Sequence, residues 1–160
     1  LRHPVFCRRC RLRGSVLTEA RRILGVAAGT RCAGWAVVGG SVHKPELIAC
    51  GEIRFPERMA MADRLARLHT GIASVVQEQV PTEAAVEAPF HGVSARSALQ
   101  LAHARGVVLA VLGISGLRVF EYSPATIKKA VTGNGRAEKE QVEAMVSRLV
   151  AGGCPPGTPP

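Results

Sequence analysis

The sequence predicts an α/β fold, in which a mixed five-stranded sheet has helices packed against it. Three observations predict this class. First, three short apolar runs are separated by glycine-containing turns. Second, the spacing between apolar residues then changes to three and four residues, which is typical of a helix. Third, two more apolar runs alternate with helical segments. With 160 residues, of which 47% are hydrophobic, the chain can form one domain with a real core, which excludes wholesale disorder.

The first three strands are predicted from glycine punctuation. Arg21–Ala27 and Trp35–Val38 are apolar runs on either side of the turn AGTRCAG, and Leu47–Phe55 follows a glycine pair. Short connections of this kind join antiparallel neighbours. We therefore expect these runs to form a three-stranded antiparallel meander.

The later elements are predicted from the change of period. Apolar residues at helical spacing indicate an amphipathic helix over Leu65–Val80, which ends before a proline. Strands that are linked through helices then complete a mixed sheet. The remaining predicted elements are a buried strand over Ala84–Ala88, a helix capped by Ser94 and reaching about Gly113, a strand over Leu117–Tyr122, a helix opened by Ser123 and Pro124, and a last helix over Ala137–Val150.

The basic charge of the chain is concentrated at its N-terminus. The formal net charge is +9, and residues 1–22 carry +6 of it through seven Arg and one Glu. Global charge is therefore weak support for nucleic-acid binding. We predict a disordered basic arm over 1–22, a folded domain over 23–150 and, from four Pro and three Gly, a linker or tail over 151–160.

The cysteines indicate neither a disulfide framework nor a zinc site. Their number, five, is odd and their spacing is irregular. Cys7 and Cys10 form one CxxC without a second ligand pair, whereas a tetrahedral zinc site needs four ligands. The longest apolar stretch, Val107–Ile114, is too short for a membrane span, and the N-terminus has no secretory apolar core. We therefore expect a cytoplasmic protein without a membrane partner.

Glu87 is the first candidate site residue. It lies in the predicted strand Ala84–Ala88, which is otherwise apolar. A carboxylate in such a strand is costly unless it is paired or binds a metal ion. The alternative is a glutamate at the end of the sheet that reaches solvent, and the residues alone leave both interpretations open.

A glycine-rich basic loop is the second candidate site. It spans Val131–Arg136, contains Asn134, and is flanked by Lys128 and Lys139. Contact with nucleic-acid phosphates is one interpretation, and a helix–helix turn with solvated lysines is the other. Phe90, at a predicted strand end, would stack on a base if it is exposed and would pack under the next helix if it is buried.

Three motifs together resemble the RuvC family of Holliday-junction resolvases. They are ILGVAAGTRCAGWAVV, AAVEAPFHGVSARSALQLAHARG and VFEYSPATIKKAVTGNGRAEKEQVEAMV, and the resemblance covers residues 23–160. It implies an RNase H-like fold and a homodimer that grips a four-way DNA junction. It also implies two metal ions, usually magnesium, that drive phosphodiester hydrolysis, and the branch-migration proteins RuvA and RuvB as partners.

The resemblance also implies roles for single residues. Glu87 matches a metal-binding glutamate of the family, and Phe90 matches an aromatic residue that contacts bases at the junction. Lys128 and Lys139 match lysines that contact DNA. We assign Asn134 and Arg136, which lie in the loop between these lysines, to the same DNA-binding surface.

The chain departs from the family pattern at the metal site. The family has Asp-Pro-Gly on its first strand where this chain has Ala27-Ala28-Gly29, and the printed sequence stops at Pro160, before the helix on which the family carries two further acids. By this resemblance, four carboxylates hold the metal ions in the family: the first-strand Asp, the glutamate that Glu87 matches, and the two acids of the last helix. Three of these four are missing here, and Glu87 remains. Two-metal hydrolysis needs cations about 4 Å apart that are held by hard oxygen ligands. We therefore expect no cleavage by these 160 residues.

Three hypotheses about function follow from these matches and departures. The chain is an incomplete or mutated copy of a junction resolvase, a non-catalytic protein that binds junctions through the loop lysines, or another RNase H-like nuclease such as an RNA-processing relative. The match to VFEYSPATIKKAVTGNG argues against the third. The coding region beyond Pro160 would separate the first from the second, because an in-frame continuation of the form Asp-Ala-Ala-Asp would show a truncated enzyme.

Overall fold

The computed structural model describes residues 21–88 and 94–150. The predicted arm up to residue 20, Phe90 and the predicted tail from residue 151 lie outside the described residues. The predicted order of strands and helices and the mixed five-stranded sheet are confirmed. The elements are β1 (Ile23–Ala28), β2 (Cys32–Ser41), β3 (Lys44–Arg54), α1 (Met61–Gln79), β4 (Glu83–Glu87), α2 (Ala95–Ile114), β5 (Arg118–Tyr122), α3 (Pro124–Thr132) and α4 (Lys139–Leu149).

The sheet has the strand order β3-β2-β1-β4-β5. The meander pairs β1 with β2 and β2 with β3 antiparallel, as predicted, whereas β4 pairs parallel with both β1 and β5. β2 and β3 are longer than predicted, because backbone pairing continues through Gly39, Gly40 and Ser41, which carry little apolar signal. The strands β1, β4 and β5 therefore all end at one edge of the sheet, which we call the carboxyl edge.

The hydrophobic core lies between the sheet and the two longest helices. Side chains alternate along each strand, so Leu24 and Val26 of β1 and Val86 of β4 are buried on the face that packs against α1 and α2. Burial of one such aliphatic side chain contributes roughly 1.5–3 kcal/mol. The largest fully buried side chains are Leu24, Leu68, Ile72, Leu112, Val37, Val86 and Val108.

Local sequence determines where the helices begin. The Ser94 hydroxyl accepts a hydrogen bond from the Ser97 amide at 3.3 Å, and Ser123 caps α3 in the same way, as predicted. The last helix begins at Lys139 rather than at the predicted Ala137. Ala137 is buried ahead of the helix, and the Glu138 amide donates to the side chain of Gln141, 3.0 Å away.

Two residues that the sequence assigned to the arm belong to the folded domain. The Arg21 guanidinium pairs with the Glu83 carboxylate at 2.7 Å, and the Arg22 amide donates to the Thr82 hydroxyl at 3.1 Å. Both contacts fasten the start of β1 to the start of β4. Arg21 and Arg22 therefore belong with the folded domain rather than with the predicted arm.

Leu68→Ala is expected to lower the free energy of unfolding by about 2–5 kcal/mol, because it removes a fully buried side chain and leaves a cavity. Leu149→Ala is the matched control, since that leucine is 47% exposed on α4. Its cost should be about 0.5 kcal/mol or less. Urea denaturation measures both values, and equal losses would contradict the central position of Leu68.

Candidate functional site

A cleft of about 540 Å³ opens on the sheet face opposite α1 and α2. Small residues of the strands, such as Gly25, Ala36 and Ala85, leave room for it, and α3 and α4 form its far wall. Its lining is mostly apolar, which is usual for sites that enclose a ligand. The polar side chains that line it are those of Cys50, Glu87, Tyr122 and Ser147.

Glu87 lies at the carboxyl edge of this cleft. It is the last residue of β4, is half-buried, and pairs in register with Tyr122 of β5. On the other side, Val26 of β1 pairs with Val86. The next residue of β1, Ala27, therefore stands beside Glu87 on the same face. A methyl group occupies the position from which a second side chain could reach the same ligand as Glu87.

The environment of the Glu87 carboxyl opposes its ionisation. Burial raises the pKa of this carboxyl above its ordinary value, and the nearby ammonium group of Lys128 offsets part of that effect. Lys128 comes from α3, which begins directly after β5 because Ser123 caps it and Pro124 occupies its first position. The fold therefore supplies one cation to a carboxylate that is only half accessible to water.

The loop between α3 and α4 is shaped by its own hydrogen bonds. Gly133 ends α3 with a φ of +78°, a left-handed conformation that favours glycine, and its amide donates to the Lys129 carbonyl at 2.9 Å. The Asn134 side chain accepts from the Arg136 amide at 3.0 Å. Asn134 therefore helps to hold the turn, and the exposed side chain of Arg136 projects from a defined backbone.

The predicted site residues fall into two groups. Glu87 and Lys128 are brought together at the cleft. Asn134, Arg136 and Lys139 lie in or directly after the α3–α4 loop, where the Lys139 ammonium is 3.6 Å from the carboxylate of Glu143 on the next turn. Phe90, the fifth predicted DNA contact, lies outside the described residues.

The described residues do not fit a pair of magnesium ions. Within the ranges 21–88 and 94–150, there is no group of three or more His, Cys, Asp or Glu side chains that could hold a metal ion. Magnesium prefers octahedral oxygen ligation and loses its water reluctantly, so it is usually anchored by carboxylates. Glu87, beside Ala27, is the one carboxylate that lines the cleft among the residues that the structure describes.

Sequence reasoning missed Tyr122 as a site residue. It ends β5, is 43% exposed, and lines the cleft next to Glu87. Its carbonyl also accepts a hydrogen bond from the Ala88 amide at 2.8 Å, which fixes the end of β4 against β5. The sequence did contain a signal for it. Neighbouring parallel strands end at the same edge of a sheet, so the last residue of the fifth strand, Tyr122, could have been expected next to Glu87.

Comparisons with known proteins give one consistent result. A family model described as crossover junction endodeoxyribonuclease RuvC matches residues 23–153. The chain is 44% identical over 134 residues to the crossover junction endodeoxyribonuclease RuvC of Azorhizobium caulinodans, which covers 84% of this chain and 79% of that protein.

Solved structures agree with this match. The RuvC of Thermus thermophilus in complex with a Holliday junction substrate is similar with a TM-score of 0.75 and 27% identity, over 81% of this chain and 79% of that one. A second structure of Thermus thermophilus RuvC is similar with a TM-score of 0.73 and 26% identity, over 86% of both chains. The RNase H-like fold expected from the sequence is thereby confirmed.

Glu87→Gln is expected to stabilise the chain at pH 7. Because the pKa of Glu87 in the folded state is raised, the folded state bears a penalty for the ionised carboxylate at every pH above that raised pKa. Glutamine removes the charge and keeps the shape. The gain should shrink as the pH falls through the raised pKa towards the ordinary value of 4.5.

Urea denaturation of the parent protein and of Glu87→Gln between pH 4 and pH 8 measures the difference in their free energies of unfolding. A difference above about 0.5 kcal/mol exceeds what an ordinary surface substitution causes. Glu83→Gln is the control at the other end of β4, because that carboxylate is paired with Arg21 and should give no gain. A gain from Glu87→Gln that is the same at every pH would contradict the effect of burial on this carboxyl.

Proposed function

This chain belongs to the RuvC family of crossover junction endodeoxyribonucleases, and from that premise we propose that it binds four-way DNA junctions without cutting them. The observation that carries the proposal is the position of Ala27, which follows the last β1–β4 pair, Val26 with Val86, and so stands beside Glu87 at the carboxyl edge. Hydrolysis needs carboxylates that hold two cations, whereas binding needs basic side chains near the phosphates. The described residues retain the basic side chains and lack a set of carboxylates.

Junction DNA is the ligand that the site and the similarities support together. The similar Thermus thermophilus RuvC was solved with a Holliday junction substrate. In this chain, Lys128 at the cleft and the basic residues Arg136 and Lys139 beyond it form a surface that suits phosphate groups. We assign phosphate contact to these three side chains, and to Asn134 the role of shaping the loop that presents Arg136.

Magnesium is the cation that we propose for the site, with Glu87 as the residue that would hold it. A divalent cation held there would supply polarisation of a phosphate and activation of water. One carboxylate leaves magnesium mostly hydrated and weakly held. The loss of a neighbouring negative charge at Ala27 also removes repulsion from DNA phosphates, so junction binding does not depend on the metal.

The homodimer that we propose uses the open face of α2. This helix is long and apolar enough, by length and composition, to cross a membrane, and 22% of its most apolar window is buried. We interpret it as a core helix, because Val108, Val111 and Leu112 pack in the core. Its other face exposes residues at helical spacing, namely Ala95, Leu99, Ala102, Gly106, Ala110 and Gly113.

A second copy of this chain fits that exposed face. Leu99 is 60% exposed, and a Cβ atom added at Gly106 or Gly113 would meet nothing within 4 Å. Small side chains let another helix approach closely, and an apolar surface of this length is unfavourable in water.

We also propose that the chain works with RuvA and RuvB and that it is cytoplasmic. Family membership alone supports these two parts of the proposal.

The test of the proposed function compares binding and cleavage on one synthetic four-way junction. Gel-shift titration should show the junction bound at lower protein concentration than a linear duplex of the same sequence. Incubation with magnesium and then with manganese should give no nicks. Symmetrically placed, metal-dependent nicks would contradict the proposal. Glu87→Gln, purified in parallel, identifies a contaminating nuclease, because nicks that persist in this variant do not come from the site.

The test of the dimer uses one alanine on each of two helices. Ala102→Glu places a charge in the middle of the exposed α2 face, and it should convert the dimer to monomer in sedimentation equilibrium without DNA. Ala66→Glu, at an exposed alanine of α1, should leave the dimer intact. A monomeric parent protein would contradict the dimer, and a dimer that tolerates Ala102→Glu would contradict its placement on α2.

A further inference from the structure

The turn between β1 and β2 presents a basic side chain at the carboxyl edge. This turn follows β1 directly, so Arg31 comes four residues after Ala27 and at the same edge as Glu87. The Arg31 side chain is exposed. Among the residues that the structure describes, no carboxylate lies within ion-pair distance of it.

Three other arginines are paired with glutamates of the sheet, which compensate their charge. Arg21 pairs with Glu83, and Arg54, which ends β3 at the carboxyl edge, pairs with Glu52. Arg105 of α2 pairs with Glu121 of β5. Arg31 thus differs from these arginines, because its charge stays available to an external anion.

The backbone of the turn is fixed at three consecutive residues. The Gly29 amide donates to the Cys32 carbonyl at 2.9 Å, and a Cβ at Gly29 would come within 2.6 Å of that oxygen, so only glycine fits. The Thr30 carbonyl accepts from the Arg64 guanidinium at 2.8 Å, and the Arg31 carbonyl accepts from the Phe55 amide at 2.9 Å. An exposed loop held at each residue loses little conformational entropy when it binds a ligand.

Arg64 connects this turn to the core. It comes from the first turns of α1, its contact with Thr30 is part-buried, and its guanidinium carbon lies 5.8 Å from the centre of the Phe55 ring. The planar guanidinium can donate to a carbonyl and lie over an aromatic ring at once, which a lysine ammonium cannot do with the same geometry. Arg64 and Phe55 therefore hold Thr30 and Arg31 from the side of the core.

We propose that Arg31 contacts a DNA phosphate next to the cleft and that Arg64 is the positioning residue for this contact. The inference rests on the proposed junction binding and adds a contact on the meander side of Glu87, opposite Lys128. Arginine suits this role because its fork of donors matches the oxygens of a phosphate group. If Arg31 and Lys128 both contact phosphates, the DNA is held on both sides of Glu87 and therefore spans the cleft.

Junction binding measured as a function of salt tests the contact. Arg31→Ala should weaken binding and lower the slope of log K against log salt by about one unit, because one counterion fewer is released. Arg31→Lys should keep most of that slope, since it keeps the charge. Arg67→Ala, which removes an exposed arginine from α1, should change neither.

A double-mutant cycle tests the positioning role. In an Arg64→Gln background, Arg31→Ala should have less effect than in the parent, because the Thr30 carbonyl loses its donor and the turn that presents Arg31 is held less firmly. Arg64→Lys, which keeps the charge and the aliphatic stem, repeats the cycle if Arg64→Gln does not fold. Amide hydrogen exchange at Gly29 and Phe55, whose amides donate to carbonyls of the turn, should accelerate in either variant, whereas exchange in β4 should not.

The outcomes separate the two proposals. A parent protein that does not prefer junctions would overturn the proposed function. Normal junction preference with an unchanged salt slope in Arg31→Ala would overturn the contact alone. An Arg31→Ala effect of full size in both Arg64 backgrounds would show that Arg64 does not position the contact.

Discussion

The parallel pairing of β4 with both β1 and β5 is the constraint on which the rest of the site depends. It makes three strands end at one edge, so Ala27, Glu87 and Tyr122 become neighbours although they are far apart in sequence. It also lets α3 begin where β5 ends, which brings Lys128 towards Glu87. An antiparallel β4 would place Glu87 at the opposite edge, next to Arg21 and Arg118.

The two faces of the sheet serve different purposes because their side chains differ in size. Leucine and valine on one face interlock with α1 and α2 and supply the stability of the domain. Glycine and alanine on the other face leave a cleft, and its mouth carries one half-buried carboxylate opposed by one lysine. Stability and site therefore occupy opposite faces of the same strands.

Basic residues differ in what surrounds their charge in the part of the chain that the structure describes. Arg21, Arg54 and Arg105 each pair with a glutamate on the sheet. The turns that carry Arg31 and Arg136 are fixed by their own hydrogen bonds. Lys128 and Lys139 stand on the two helices that flank the α3–α4 loop. The number of basic residues is thus a poor guide to DNA binding, because part of that charge is compensated within the sheet.

The sequence by itself determined the order of the elements, the meander, the serine caps of α2 and α3, and the choice of Glu87 as a candidate site residue. These depend on local period, turn residues and the cost of a charge in an apolar strand, which act over a few residues. Only the tertiary structure decided that Ala27 stands beside Glu87, that Tyr122 lines the cleft, and that Arg64 holds the turn before Arg31. Those relations are set by strand register and by helix packing between residues more than thirty positions apart, which no local pattern encodes.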